Sequence, residues 1–219
     1  MVNTHSQQYV EIKGEQLALY PQKGIYWLKQ RALLLADMHL GKVSHFRRSG
    51  VPVPVKANDR NIELLIDLIR CTQPARVLCL GDLFHSHYNA EWEVFGEVVR
   101  HFSQVSFELI SGNHDIMSDV QYARKGIKVY PELKLGPFLL THHPLEHDVG
   151  EHYNLAGHIH PGVQLKGKGR QSTTLPCFYF GKQQGFLPAF GMFTGMARIR
   201  PQKEDKIFVI AEDKIIPVT

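Results

Sequence analysis

Carboxylate, amide and imidazole side chains form five short clusters in this chain, and each cluster directly follows an apolar run. The clusters are Asp37-Met38-His39, Gly81-Asp82, Gly112-Asn113-His114-Asp115, Thr141-His142-His143 and Gly157-His158-Ile159-His160. Ligands of open α/β folds bind in the crevice beyond the carboxyl ends of the strands. We therefore expect these side chains to converge in one crevice.

The clusters combine oxygen and nitrogen donors, a set that suits Mn, Fe, Zn, Co or Ni better than the all-oxygen sites of Mg or Ca. Side chains of an extended strand repeat every two residues. The Asp37-x-His39 and His158-x-His160 spacings therefore predict that both members of each pair lie on one edge of an extended segment. Each pair is expected to address one metal centre.

The first half of the chain alternates apolar strands with helices. The runs ALLLAD, ARVLCLGD and VSFELISGNHD predict buried strands, and apolar residues recur at helical spacing over 56–71 and again over 91–102. This alternation predicts βαβ connections and an inner parallel sheet. Residues 9–28 are typical of a β-hairpin, and the alternate prolines of VPVPV predict a loop.

The second half predicts mostly β structure. After Gly126 the apolar runs are short and separated by Gly and Pro, and GKGR at 167–170 is typical of an exposed hairpin loop. A β half that follows an α/β half predicts two sheets packed face to face with helices outside. With 219 residues and no repeat or linker, we expect one domain over 1–219.

Composition excludes several classes of protein. Hydrophobic residues at 43% and charged residues at 21% argue against a disordered chain or a coiled coil. The first ten residues lack a secretory signal and no window suits a membrane span, so we expect a cytoplasmic protein with no membrane partner. Cys71, Cys79 and Cys177 predict reduced thiols rather than a disulfide or zinc framework. The net charge of +4 fits an anionic substrate.

The ordered series D-x-H, GD, GNHD, H and GHxH resembles the calcineurin-like metallophosphoesterase superfamily. The resemblance implies a four-layer α/β/β/α sandwich and binuclear metal-dependent phosphoester hydrolysis. It implies one ion held by Asp37, His39, Asp82 and His160, and a second held by Asp82, Asn113, His142 and His158. His142 is chosen because it opens an H-x-P sequence, and His143 is the alternative.

The same resemblance implies roles beyond metal binding. His114 would contact the transferring phosphate and stabilise charge or protonate the leaving oxygen, with Asp115 orienting its ring. Two divalent cations, with Mn favoured among Mn, Fe, Zn, Ni and Co, would activate water and polarise the ester.

Longer strings are similar to the ICC-like phosphoesterases, above all to the ligase-associated DNA damage response endonuclease branch. These strings are LLLADMHLGKVSHFRRSGVPVP, GDLFHS, LPCF and LPAFGMFTG, within about residues 25–200. The similarity implies DNA as the substrate and ligase-associated repair proteins as partners. Lys42, Arg47 and Arg48 follow the first ligand pair and are candidates to bind substrate phosphates, the alternative being a solvated face.

Two other functions remain open at this point: a phosphodiesterase or phosphatase for small nucleotides, and a non-catalytic nucleic-acid-binding or scaffold subunit. His85 and His87 fit either the rim of the site or the surface. Phe190 and Phe193 fit base stacking or core packing, and core packing is favoured. The close glycines of LPAFGMFTG predict a tight backbone passage near the site.

Overall fold

The computed structural model describes residues 7–42, 56–85, 90–147, 149–167, 171–192 and 194–218. The VPVPV segment, Arg47 and Arg48 lie outside the described residues, as do His87 and Phe193.

The first half of the chain forms a seven-stranded sheet whose strands lie in sequence order. Neighbours are antiparallel from the first strand to the fourth and parallel from the fourth to the seventh. The predicted hairpin and inner parallel sheet are therefore confirmed. The strands are β1 (Gln8–Ile12), β2 (Glu15–Tyr20), β3 (Gly24–Trp27), β4 (Ala32–Leu35), β5 (Arg76–Leu80), β6 (Ser106–Ile110) and β7 (Ile127–Tyr130).

Within the described residues, one helix lies in each connection between neighbouring parallel strands of this sheet. These helices are α1 (Lys56–Thr72), α2 (Ala90–His101) and α3 (Asp119–Arg124). Apolar residues of all three, such as Leu65, Phe95 and Tyr122, pack with β4, β5 and β6 in one buried cluster. The helices therefore cover one face of the first sheet, and the two longer ones match their predicted positions.

The second half forms a nine-stranded sheet. Its strands are β8 (Leu133–Leu135), β9 (Phe138–Thr141), β10 (Tyr153–Ala156), β11 (Pro161–Lys166), β12 (Ser172–Phe180), β13 (Gln184–Phe186), β14 (Ala197–Arg198), β15 (Lys206–Ala211) and β16 (Lys214–Val218). The strand order is β14-β11-β12-β13-β10-β9-β8, and β15 pairs with both β12 and β16. The central strands β9, β10 and β13 are parallel.

The two sheets pack face to face. Trp27, Leu78 and Ile110 of the first sheet share a buried cluster with Phe138 and Phe178 of the second. The mixed α/β sandwich with two sheets is thus confirmed. In the described part of the chain the helices lie on the first sheet, and no described residue after Arg124 is helical.

The cysteines and the hairpin around 167–170 agree with their predictions. All three cysteines are free, with Cys79 and Cys177 buried and Cys71 half-buried. The strands β11 and β12 form the predicted hairpin around 167–170, whose tip lies outside the described residues. None of the described helices is long and apolar enough to cross a membrane.

Candidate metal centre

The polar clusters follow the carboxyl ends of strands in both sheets. Asp37, Asp82 and Asn113 follow the carboxyl ends of β4, β5 and β6 in the first sheet. His142 and His158 follow β9 and β10 in the second. Because the sheets pack face to face, both sets of strand ends open into the same crevice, as the sequence predicted.

The loops after β4 and β5 run side by side and hold two of the clusters together. The amide of Asp37 donates to the Gly81 carbonyl at 3.1 Å, and that of His39 donates to the Asp82 carbonyl at 2.9 Å. The backbone of each loop therefore supports the side chains of the other.

The residues of both pairs with two-residue spacing have left-handed backbone, not the extended backbone of a strand. The φ angle is 53° at Asp37, 46° at His39, 62° at His158 and 50° at His160, and Asp82 adopts 50°. Positive φ is uncommon outside glycine and concentrates at functional sites. The predicted extended geometry is wrong, because the chain turns sharply once each strand has ended.

A first group of donors contains Asp37, His39 and His160, whose ligand atoms all lie within 4.8 Å of one another. His160 Nε2 is 3.3 Å from Asp37 Oδ1. The Nδ1 atom of His39 is buried without a hydrogen-bond partner. Burial lowers the pKa of His39 to about 2, which keeps the imidazole neutral as metal ligation requires.

A second group meets at His142 Nε2. This atom is 3.0 Å from Asn113 Oδ1, 3.2 Å from His158 Nδ1 and 3.5 Å from Asp82 Oδ1. The other ring nitrogen, Nδ1, lies 3.0 Å from the Leu80 carbonyl, to which it can only donate. That hydrogen bond leaves the Nε2 lone pair free for a metal ion.

The structure favours His142 over His143 as the second-group donor. His142 is 2% exposed and touches three other predicted ligands, whereas His143 is exposed and packs its ring 4.1 Å from that of His158. His143 nevertheless lies close enough to form a donor group with His142 and His158.

Asp82 stands between the two groups. Its Oδ2 atom is 3.8 Å from His39 Nε2, and its Oδ1 atom is 3.5 Å from His142 Nε2. His158 and His160 fall into different groups, so the expectation that each two-residue pair serves one metal centre is wrong for this pair. Two donor groups with Asp82 between them fit two divalent cations.

A family model described as calcineurin-like phosphoesterase matches residues 30–216. The chain belongs to the calcineurin-like phosphoesterases. It is therefore a hydrolase that depends on divalent metal ions.

The structure of the nuclease MPE from Pseudomonas putida is similar to this phosphoesterase, with 30% identity and a TM-score of 0.80. The match covers 97% of this chain and 100% of that one. The phosphoesterase Yfce from E. coli is more distant, with 14% identity, a TM-score of 0.43 and coverage of 85% and 97%. No sequence among the curated proteins matches the chain.

His114 of the phosphoesterase lies against the first donor group. Its amide donates to Asp82 Oδ1 at 2.9 Å. Its ring stacks on that of His85 at 5.0 Å and meets the ring of His39 edge-on at 5.4 Å. The structure therefore places His85 at the site, where the sequence had left the choice between rim and surface open.

The predicted role of Asp115 is wrong in this structure. Its carboxylate accepts hydrogen bonds from the amides of Gly112, Leu83 and Phe84, at 2.9 to 3.3 Å, and from the Tyr122 hydroxyl. None of its hydrogen bonds within the described residues reaches the His114 ring. Asp115 instead ties the loop after β6 to the loop after β5.

Of the predicted substrate-binding cations, Lys42 is the one that the structure describes. Burial lowers the pKa of Lys42, while the charges of Asp82 and Asp37 raise it. Its ammonium group therefore lies within electrostatic reach of both carboxylates. Arg47 and Arg48 lie outside the described residues.

Three glycines allow the backbone to pass close to the site, and the sequence predicted only the passage in LPAFGMFTG. An added Cβ would lie 2.1 Å from His142 Nδ1 at Gly81 and 2.4 Å from Asp82 Oδ1 at Gly112. Gly191, from the predicted passage in LPAFGMFTG, leaves only 2.4 Å between such a Cβ and the Met38 carbonyl. Phe190 beside it is buried in the core, as favoured.

Proposed function

We propose that this enzyme hydrolyses phosphodiester bonds in nucleic acid, with DNA as the preferred substrate. The observation that carries the proposal is that the Asp82 carboxylate lies between His39 and His142, one from each donor group, with the His114 amide bonded to it. The likeness to a nuclease over nearly the whole chain supports nucleic acid as the substrate class.

We assign the donors to two sites. Asp37, His39 and His160 would hold one cation. Asn113, His142 and His158 would hold the second, with Asp82 within reach of both. Mn is favoured, and two such cations would supply activation of water and positive charge against the phosphoryl oxygens.

The remaining residues orient and protonate the substrate. The hydrogen bond from the His114 amide to Asp82 fixes its backbone beside the shared carboxylate, and stacking on His85 fixes the plane of its ring. His114 would then stabilise charge on the leaving oxygen of the ester or protonate it. Lys42 would add positive charge near Asp82 and Asp37, against the phosphate oxygens of the substrate.

The biological setting is also part of the proposal. The similarity of the longer strings to the ligase-associated endonuclease branch favours a role in DNA repair, beside ligase-associated proteins in the cytoplasm. We propose that the chain acts as one domain, since both halves contribute donors to the same site.

A substrate panel tests the function. DNA forms, cyclic nucleotides and aryl phosphodiesters are assayed with Mn, Fe, Zn, Ni and Mg in turn. We expect cleavage of DNA with Mn, and binding that weakens steeply with salt because several phosphates release counterions. Efficient hydrolysis of small diesters with no binding or cleavage of any DNA would mean that the enzyme acts on small nucleotides.

A further inference from the structure

A cavity of about 170 Å³ lies beside His160, between the turn that carries Lys23 and residues of the second sheet. Lys23 lines it together with Gly191 and Thr194, and its other walls are proline, alanine and methionine side chains. The lining contains the ammonium group of Lys23 and no carboxylate. We call this cavity the Lys23 pocket.

Lys23 reaches the pocket from the turn between β2 and β3, where its backbone has a φ of 65° and its amide donates to the Tyr20 carbonyl. The side chain is half-buried. Within the described residues its ammonium group has neither an ion pair nor a hydrogen bond. Burial lowers the pKa of Lys23, since water is displaced without a countercharge taking its place.

A lysine with a largely buried side chain elsewhere in the described residues has a carboxylate partner: Lys125 is 16% exposed and pairs with Glu93. A half-buried cation without a partner is unfavourable unless something offsets its charge. An anionic group that entered the pocket would supply the countercharge that Lys23 lacks among the described residues.

The size and position of the pocket narrow the identity of that group. Sites for whole drug-sized ligands are about 300 to 1,000 Å³, so this cavity suits one chemical group rather than a nucleoside. It shares His160 with the first donor group, and His160 Nε2 is 3.3 Å from Asp37 Oδ1. An anion in the pocket would therefore belong to the same substrate molecule as the phosphate at the metal centre.

We propose that the Lys23 pocket binds the phosphate that neighbours the scissile phosphodiester in a nucleic-acid strand, and that Lys23 is the residue that selects for it. The inference rests on the proposed function and names a second contact for its substrate. A small diester without a neighbouring phosphate leaves the pocket empty.

Matched substrates test this selection. Thymidine 5′-nitrophenyl phosphate is compared with its 3′-phosphorylated form, and thymidine 3′-nitrophenyl phosphate with its 5′-phosphorylated form. In the unmodified enzyme the second phosphate should lower KM in at least one pair. In the Lys23→Gln variant, the factor by which the second phosphate lowers KM should be about ten-fold smaller, with kcat unchanged. Lys23→Arg should retain most of that factor.

A binding measurement gives a second readout that does not depend on turnover. Affinity for a fluorescent single-stranded oligonucleotide is measured against salt with a chelator present. Lys23→Gln should reduce the slope of log affinity against log salt by about 0.7, the value for one phosphate contact on a single strand. Lys13→Gln is the matched control, because Lys13 occupies the other hairpin turn of β2, also at positive φ.

The outcomes separate the two proposals. If the unmodified enzyme cleaves no phosphodiester of the set, the proposed function fails. If it cleaves them but Lys23→Gln keeps both the advantage of the second phosphate and the full salt slope, the pocket assignment is wrong and the function stands. Equal losses in Lys23→Gln and Lys13→Gln would also overturn the assignment, since general charge would explain them.

Discussion

Replacing Asp82 with alanine is expected to lower kcat for phosphodiester hydrolysis by about a thousand-fold or more, beyond the 10- to 100-fold cost of losing a supporting residue. The carboxylate lies within 3.8 Å of His39 Nε2 and 3.5 Å of His142 Nε2, so its loss removes a donor from both groups. It also removes the acceptor of the His114 amide. Hydrolysis of an aryl phosphodiester with Mn, and metal content per chain, measure the effect.

Two further variants make the Asp82 result interpretable. Asp82→Asn keeps the side-chain volume and should lose metal without loss of folding. Asp213→Ala removes an exposed carboxylate from the β15–β16 turn and should leave metal content and turnover unchanged. Hydrolysis by Asp82→Ala at the rate of the unmodified enzyme would contradict the binuclear mechanism.

The second large effect is expected from Gly81→Ala, which adds a single carbon. The new Cβ would lie 2.1 Å from Nδ1 and 2.4 Å from Cγ of His142, so the ring has to move. Its hydrogen bond to the Leu80 carbonyl, at 3.0 Å, would break with that movement. Because displacement of a catalytic group by about 1 Å costs about a hundred-fold, we expect kcat to fall by that factor.

Backbone strain needs its own control, since Gly81 has a φ of 81° that alanine adopts unfavourably. Gly14 has a φ of 75° and nothing within 4 Å of an added Cβ. Gly14→Ala should therefore lose a similar free energy of unfolding, about 1 to 2 kcal/mol, while it keeps full activity. Equal activity in both alanine variants would show that Gly81 does not position His142.

The buried strands and their order along the chain could be predicted because apolar runs and helical periodicity report burial directly. The polar residues that follow β4, β5 and β6 could be placed in one crevice for the same reason, since parallel strands end at one edge. The family resemblance of the ordered motifs predicted two groups of donors, with His160 in one and His158 in the other. In the structure these two histidines also lie in different groups.

Contacts that depend on loop conformation could not be predicted. The two-residue spacing of Asp37 and His39 suggested a strand edge, but left-handed backbone at both residues sets their positions. Asp115 stands next to His114 in the sequence, yet its carboxylate accepts backbone amides because the loop turns it inward.

Residues distant in sequence were missed for a related reason. Lys23 belongs to a hairpin turn of the first sheet, and nothing in PQKG distinguishes it from a surface turn. Only the packing of the second sheet beside that turn encloses it in a pocket with His160. The close approach of Gly81 to His142 likewise joins two sheets, so neither segment alone reveals it.

The most direct test of the central claim is an anomalous-scattering map of crystals grown with Mn. We expect two peaks: one contacted by Asp37, His39 and His160, the other by Asn113, His142 and His158. Asp82 should contact both, and His143 neither. A single peak, or peaks that Asp82 does not contact, would contradict the two-cation site on which the proposed function rests.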